Sequence, residues 1–507
     1  MPVFSLAQHE PVKQPAKYWI VFADKPQTAA PALSATTLAN RQGRGLSVDA
    51  TDQPLSAEYV NQLAQTGVVP LCRSRWFNAV SAQLTPDMQA RVRQLPFVKE
   101  LVPIDRHLVV TSLPREPLTK PQLAPVMNQI QASEFALAGL TGRFVQVGVI
   151  DAGFFGADSA AALKHLFTRQ GVRTVRDYVN AQKTNNDLFH TLETMSDFHG
   201  TEVLAAIAGL DPTDSIQYGL ATDATFYLAR TDQGNREFRG EEDNWVQAIE
   251  WLDSLGVRLV NTSLGYARGF TDPKENYEPR QMDGHTSIIS RAAQIAADKK
   301  GMLIIVSAGN EGDDRNWRII STPADAQGVL AVGATNSRLW NRIGYSSIGP
   351  EALPYLKPNV SCFSLYGTSL SAPVITGFAA CIMQANPKLT NREVIELIEK
   401  SSHLYPYGNN FVGYGVPQAS RVLALLRKQS LPATTRTITA TGKSVSIPVG
   451  RVDGKEVLSV FRKKDATHVL HQEALKASNG KLTIKRLRGE SHTTIDLKKE
   501  VIEVVWE

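Results

Sequence analysis

Between residues 144 and 312, short apolar runs alternate with stretches of helical spacing, and few folds accept that order. Phe144-Val145-Gln146-Val147-Gly148-Val149-Ile150-Asp151 and Met302-Leu303-Ile304-Ile305-Val306-Ser307 are rich in β-branched residues and too short for most helices. Thr225-Phe226-Tyr227-Leu228-Ala229-Arg230 and Val257-Arg258-Leu259-Val260-Asn261-Thr262 read as strands in the same way. Between the last two, Glu241 to Leu255 sets Trp245, Ile249 and Leu252 on one helical face. The alternation predicts an α/β domain on a doubly wound parallel sheet. Open sheets of that kind place ligands beyond the C-terminal ends of their strands, so the residues that end these runs become candidates for function.

Asp151 ends the first run. His199, in Asp197-Phe198-His199-Gly200-Thr201, opens an apolar helix of small residues. Asn310 follows a buried strand, in Ser307-Ala308-Gly309-Asn310. Ser369 lies in Gly367-Thr368-Ser369-Leu370-Ser371-Ala372-Pro373, at the head of an apolar run that predicts a buried helix. Unpaired N–H groups at a helix N-terminus favour negative charge, and the preceding glycine lets another backbone approach. Taken singly, each has a plain structural reading: a strand-end acid, a helix-start histidine, a turn asparagine and a capping serine. Together they supply what nucleophilic catalysis needs. A hydroxyl becomes a nucleophile only when a base takes its proton, and the base works best when an acid orients it.

The four segments, in the order Asp, His, Asn, Ser, resemble the subtilisin-like serine proteases, the subtilases. The resemblance implies Ser369 as nucleophile, His199 as general base and then acid, Asp151 as the orienting carboxylate, and Asn310 as an oxyanion donor beside the Ser369 N–H. It implies that Ser263, Leu264 and Gly265 form one edge of the substrate cleft, and that Ser307, Ala308 and Gly309 form a wall of the primary specificity pocket, with Ser321 or its neighbours as the floor. No acid is evident among these residues, which favours broad, apolar-tolerant cleavage. The chemistry needs no cofactor and no metal. Calcium is common in the family, but no ligand set is assignable, and Asp283, Asp313 and Asp314 are the only candidates. The chain departs from the family pattern at Ala152, where Ser or Thr is usual, and at Glu202, where a second His often stands. The approach to the nucleophile from Lys357 to Gly367 is also short. That trimmed rim and a basic tail are what a rival reading would use: an idle subtilase serving as a binding or surface protein. The intact triad speaks against it.

A length of 507 residues predicts several domains. With 43% hydrophobic and 20% charged residues the chain is globular. Its net charge of +5 gives no argument for nucleic acid, and no apolar run approaches the ~20 residues of a membrane span. The three cysteines, Cys72, Cys362 and Cys381, suggest no disulfide framework.

Residues 17–110 predict a small α/β domain with strands at Tyr18–Phe22, Trp76–Ala82 and Val98–Val102 and helices at Ala57–Ala64 and Pro86–Leu95. Arg73-Ser74-Arg75-Trp76-Phe77-Asn78-Ala79-Val80 and Asp52-Gln53-Pro54-Leu55-Ser56 resemble the prodomain of a bacterial branch of secreted subtilases. That resemblance implies an intramolecular chaperone and inhibitor removed by self-cleavage; the alternative is a permanent binding domain. Residues 111–125 hold four prolines and read as a linker containing the processing region. The catalytic domain is expected over 126–430. Residues 431–507 alternate like strands and predict a small β module, most simply a stabilising cap. Residues 1–16 are a flexible terminus or the remnant of a leader, since Phe4-Ser5-Leu6-Ala7-Gln8 resembles the close of a signal peptide. The expected location is therefore secreted or in the cell envelope, with peptides and proteins as substrates and the chain's own prodomain as a partner.

Overall fold

The computed structural model describes residues 16–25, 33–104, 126–180, 187–211, 216–232, 240–268, 276–432, 434–449, 457–498 and 500–507. The leader-like stretch and the 111–125 linker fall outside these residues, apart from Ala16.

The predicted doubly wound sheet is present. Seven strands lie in the order Val360–Phe363, Leu330–Thr335, Leu303–Ser307, Leu259–Thr262, Gln146–Asp151, Thr225–Arg230 and Val172–Asp177, and every neighbouring pair is parallel. The side-chain period of two splits each strand between two cores. Val147, Val149, Leu303 and Ile305 face the Ser371–Ala385 and His199–Ala208 helices. Ile150, Ile304 and Val306 face the Glu241–Ser254 and Ile288–Asp298 helices. Gly148 is small for a reason: a Cβ there would lie 2.5 Å from Leu252 Cδ1, so glycine lets the Glu241–Ser254 helix close on the sheet. Ser287 caps the Ile288–Asp298 helix by accepting from Ser290 N, and Thr390 and Glu393 form a capping box on Asn391–Ser401.

Two departures from expectation concern strands. Val172–Asp177 is not among the strands read from the sequence; as an edge strand it buries only Val175, so its periodicity is faint. Leu330–Thr335 is buried throughout but is built largely of small residues. Thr368–Ala385 is long and apolar enough to cross a membrane by length and composition, yet 89% of it is buried inside the protein, as in a core helix. Its small residues pack against the sheet and the neighbouring helices.

The N-terminal part folds as an antiparallel sheet in the order Cys72–Ser74, Ala79–Leu84, Ala16–Phe22, Val98–Ile104, with its own apolar core. The Ala57–Gln65 and Pro86–Arg93 helices are capped by Ser56 and Thr85. The central strand begins at Ala79, not Trp76, because Trp76 and Phe77 turn outward through the left-handed Asn78 and pack on the catalytic domain. The C-terminal part is a five-stranded sheet in the order Thr435–Ala440, Val501–Trp506, His492–Asp496, Val457–Lys463, Val469–Lys476, together with the Ser444–Pro448/Lys481–Lys485 pair. Phe461 and Val501 share an apolar cluster with Leu404, Phe411 and Val412 of the catalytic domain. All three cysteines are buried and unpaired.

Candidate active site

Three adjacent strands end together. Ile150 pairs with Thr262, and Thr262 with Val306, so Asp151, Ser263 and Ser307 share the C-terminal edge of the sheet. His199 begins its helix after a 3-10 turn, Met195–Phe198, that is braced by Asp197 Oδ2, which accepts from Glu193 N at 2.7 Å and Thr194 N at 2.8 Å. The residue after it must be glycine. Gly200 N donates to Gly153 O at 2.9 Å, and a Cβ on Gly200 would lie 2.3 Å from that oxygen. This close approach brings His199 against Asp151. Nδ1 of His199 lies 2.6 Å from Oδ1 of Asp151, and Asp151 is wholly buried. Ala152 N also donates to Asp151 Oδ1, at 2.8 Å. Asp151 Oδ2 is buried without a hydrogen-bond partner among the described residues.

Ser369 does not sit in the helix itself. Gly367, at φ +124°, leads into a single 3-10 turn, Thr368–Leu370, and the helix starts at Ser371. The turn packs against the His199–Ala208 helix. Ser369 Oγ donates to Ser263 O at 3.2 Å, and Ser263 Oγ donates to Ser369 O at 2.9 Å, which locks the turn to the end of the Leu259–Thr262 strand. Thr368 is fastened to the next strand end. Its N–H donates to Asn310 Oδ1 at 2.8 Å, and its Oγ1 accepts from Gly309 N at 3.0 Å. With Oδ1 so used, Nδ2 is the donor end of the Asn310 amide.

The other residues singled out from the sequence are buried at the same edge: Ser263, Leu264, Ser307 and Ala308. Ala308 N donates to Val332 O, and Gly309 has φ +108°. The hydroxyls of Ser307 and Ser321 are buried without partners among the described residues.

Two acids escaped the sequence reading. Glu311 Oε2 accepts from Asn310 N at 2.9 Å and Ser347 Oγ at 3.1 Å, and would lie 2.7 Å from a Cβ on Gly309. A carboxylate therefore stands beside the Ser307–Gly309 wall, where none was evident, and burial pushes its pKa up. Asp232 is fully buried and hydrogen-bonded by Thr231 Oγ1 at 2.5 Å and Tyr266 OH at 3.2 Å. Burial first, and the charge of Asp151 after it, push Asp232 up to about 7. Neither stands in a motif, and only tertiary contact reveals their positions.

Two of the three calcium candidates have other employment. Asp283 takes the N–H groups of His285 and Thr286, and Asp314 pairs with Arg268. Among the described residues no group of three or more His, Cys, Asp or Glu side chains could hold a metal ion.

The N-terminal sheet lies on the Glu241–Ser254 helix. Glu250 accepts from Ser74 Oγ at 2.5 Å, Arg75 N at 3.1 Å and Trp76 N at 3.3 Å. At the other end of the helix Asp243 takes Lys17 Nζ at 2.5 Å and Ser81 Oγ at 2.6 Å. Lys17 is paired with Ile104, the last residue of the Val98–Ile104 strand, so the chain leaves this sheet beside Asp243. That end of the helix follows the C-terminal end of the Thr225–Arg230 strand, on the side of the molecule that carries Asp151.

Residues 142–415 match the model of the subtilase family, and residues 17–119 match that of the peptidase S8 propeptide domain of Bacteroidota. The chain belongs to the subtilase family. It is a serine endopeptidase made with a propeptide, and its chemistry needs no cofactor. Subtilisin DY of Bacillus licheniformis is 30% identical over 277 residues, covering 52% of this chain and 86% of the relative. Subtilisin NAT of Bacillus subtilis subsp. natto is 28% identical over 297 residues, covering 56% and 67%. The crystal structure of MycP1 from Mycobacterium smegmatis aligns with a TM-score of 0.45 at 22% identity, over 63% of this chain and 88% of that one.

Proposed function

We propose that Asp151, His199 and Ser369 are the catalytic triad and that the reaction passes through an acyl-enzyme. The observation that carries this is the 2.6 Å contact between His199 Nδ1 and the buried Asp151 carboxylate. It directs the Nδ1 proton to Asp151 and leaves Nε2 as the basic nitrogen. Ser369 Oγ, now on Ser263 O, turns to His199 Nε2 and gives up its proton as it attacks the substrate carbonyl. The oxyanion is received by the Ser369 N–H and Asn310 Nδ2. The imidazolium then protonates the leaving amine, and water repeats the sequence on the acyl-enzyme.

An extended peptide lies between Ser263-Leu264-Gly265 and Ser307-Ala308-Gly309, its backbone held as an added strand. Residues 17–110 act as intramolecular inhibitor and chaperone, a reading supported by the position of Ile104 beside Asp243 on the side of the molecule that carries Asp151. Processing falls in 111–125, the catalytic domain is 126–430, and 431–507 is a stabilising cap. The enzyme works outside the cytoplasm, as the leader-like start suggests.

A fluorophosphonate probe tests the triad. It should label the processed enzyme at Ser369 and fail on Ser369→Ala. A folded, processed wild-type enzyme that takes no label would establish the idle binding protein instead. Because the general base must be neutral, activity should fall on acidification through the imidazole range, near pH ~6.5 for a free side chain.

A further inference from the structure

Between the Ala16–Phe22 strand and the Ala57–Gln65 helix the propeptide makes an excursion that the sequence reading left unassigned: the Ala35–Gln42 helix and the turn to Asp52. No residue from Ser34 to Asp52 belongs to an apolar cluster, whether of the propeptide or of the enzyme, and Leu38 and Val48 are exposed. The segment is nevertheless fixed, and what fixes it is charge. Arg41, 1% exposed, has its guanidinium between Asp52 at 2.7 Å and Asp253 at 2.7 Å. Lys300 of the catalytic domain, 2% exposed, reaches back to Asp52 at 2.9 Å and Asp49 at 3.3 Å. The row Asp253, Arg41, Asp52, Lys300 alternates in sign and crosses between the domains twice.

Backbone groups add to it. The end carbonyls of the Glu241–Ser254 helix lack partners within their own helix. Thr37 Oγ1 lies 3.3 Å from Asp253 O and 3.1 Å from Ser254 O, and Ser34 N donates to Ser254 O at 3.3 Å. Arg44 Nη1 donates to Gly301 O at 2.9 Å. Gly301, at φ +62°, leaves the room: a Cβ there would lie 2.6 Å from Arg44 Nη1. The place matters. Asp253, Lys300 and Gly301 precede the Leu259–Thr262 and Leu303–Ser307 strands, whose far ends carry Ser263 and Ser307. The contact is at the opposite edge of the sheet from the candidate triad, and Arg75, whose Nη2 also reaches Asp253 Oδ2 at 2.7 Å, joins it to the sheet's docking on Glu250.

We propose that Asp253, Lys300 and the carbonyls at 254 and 301 form an exosite that binds the Arg41-bearing excursion Ser34–Asp52, and that this site, remote from the active centre, keeps the propeptide on the enzyme once the linker has been cut. The proposal rests on the propeptide reading above. Both of its faces are charged, so each is soluble alone, and desolvation makes each ion pair costly to break from one side only.

The test uses the full chain carrying Ser369→Ala and a recognition sequence for a site-specific protease within residues 111–125. After that protease has cut, dissociation of the propeptide is followed by gel filtration. The parent should retain its propeptide. Arg41→Met, from one side, and Lys300→Met, from the other, should each speed release at least ~10-fold, as removal of one partner of a buried charge pair does. Should one variant fail to fold, judged by its melting before cutting, the other answers the question. Release at the parental rate in the folded variants overturns the exosite. The same cut in the chain with Ser369 intact separates the two readings: propeptide retained without inhibition of peptide hydrolysis removes the inhibitor and leaves the exosite, whereas parental release with inhibition intact removes the exosite alone.

Discussion

The catalytic domain is joined at both ends to a small domain, and the two joints are built differently. At the N-terminal joint, Lys17–Asp243, Arg41–Asp253, Arg75–Asp253 and Lys300–Asp52 cross the boundary, and no side chain among them is more than 11% exposed. Its apolar contribution comes from Trp76 and Phe77 and from a small cluster in which Trp19, Cys72 and Ala79 of the sheet meet Ile288. At the C-terminal joint, Phe461 and Val501 merge with Leu404, Phe411 and Val412 in one apolar cluster. Paired hydrogen bonds flank it: Arg342 N to Gln472 Oε1 at 3.2 Å and Gln472 Nε2 to Arg342 O at 2.8 Å. The crossing ion pair there, Lys464–Glu351, is exposed, and His403–Asp496 at 3.4 Å is ionic only when the imidazole is protonated. Permanent interfaces resemble a core cut in two, whereas surfaces that must later meet water keep their charge. The difference marks the N-terminal domain as the one made to leave.

The largest effect should come from Ser369→Ala, which should lower peptide hydrolysis by ~10⁴–10⁶ and leave one uncut chain on a denaturing gel. In the active chain the same gel should show the propeptide separated and the C-terminal module still attached. A module lost as readily as the propeptide would break the comparison. Phe461→Ala should then cost ~3–5 kcal/mol through the cavity it opens, read as a lower melting temperature of the processed enzyme, with propeptide release unchanged. Third, raising salt to ~1 M, where the screening length falls to ~3 Å, should slow rebinding of the cut propeptide several-fold, change its release rate little because the crossing pairs are buried, and leave the melting of the C-terminal joint almost unmoved.

The smallest effect is in pH, and the two propeptide contacts should differ in sign. Burial pushes Glu250 up to about 7, more than Ser74, Arg75 and the amides above it pull it down. Its contribution is present below the free carboxyl range and is lost as the pH rises through about 7, so the sheet should loosen toward alkaline pH. Asp52 is the reverse. Burial would raise it, but Arg41, the Asp49 amide and Lys300 outweigh burial and hold it low. Its contribution is present above ~3.9, the free value, and is lost only as the pH falls through the lowered one. Release rates of the cut chain across pH should show the alkaline slope, and Glu250→Gln should flatten it. A slope that survives this substitution would assign it to another group, and not to Lys25: burial lowers that amine to about 8, so its contribution grows toward alkaline pH.

What could be read ahead of the structure followed from burial. Leu303–Ser307 is buried along its whole length and Gln146–Asp151 from Val147 onward, and both announce themselves as apolar runs. Val172–Asp177 buries one side chain and is silent. The Ala35–Gln42 helix is silent for another reason: what holds it is Asp253, more than two hundred residues away, and no local pattern encodes such a partner. The site divides in the same way. Asp151, His199, Asn310 and Ser369 stand in motifs, because each needs particular neighbours in the chain, as Gly200 after His199 shows. Glu311 and Asp232 each bond the residue before them in the chain, but their partners Ser347 and Tyr266 are distant, and the sequence reading passed over both.

By itself, then, the chain's order of apolar runs determined a doubly wound sheet, and its short motifs determined which four polar residues to watch. Only the folded structure decided that Asp151 and His199 touch, that Ser369 stands on Ser263 in a turn ahead of its helix, and that charged groups from three distant segments meet at Asp253. Periodicity and backbone sterics act between near neighbours and leave a trace in the sequence. Desolvation and Coulomb attraction act between whatever the fold brings together, and they leave none.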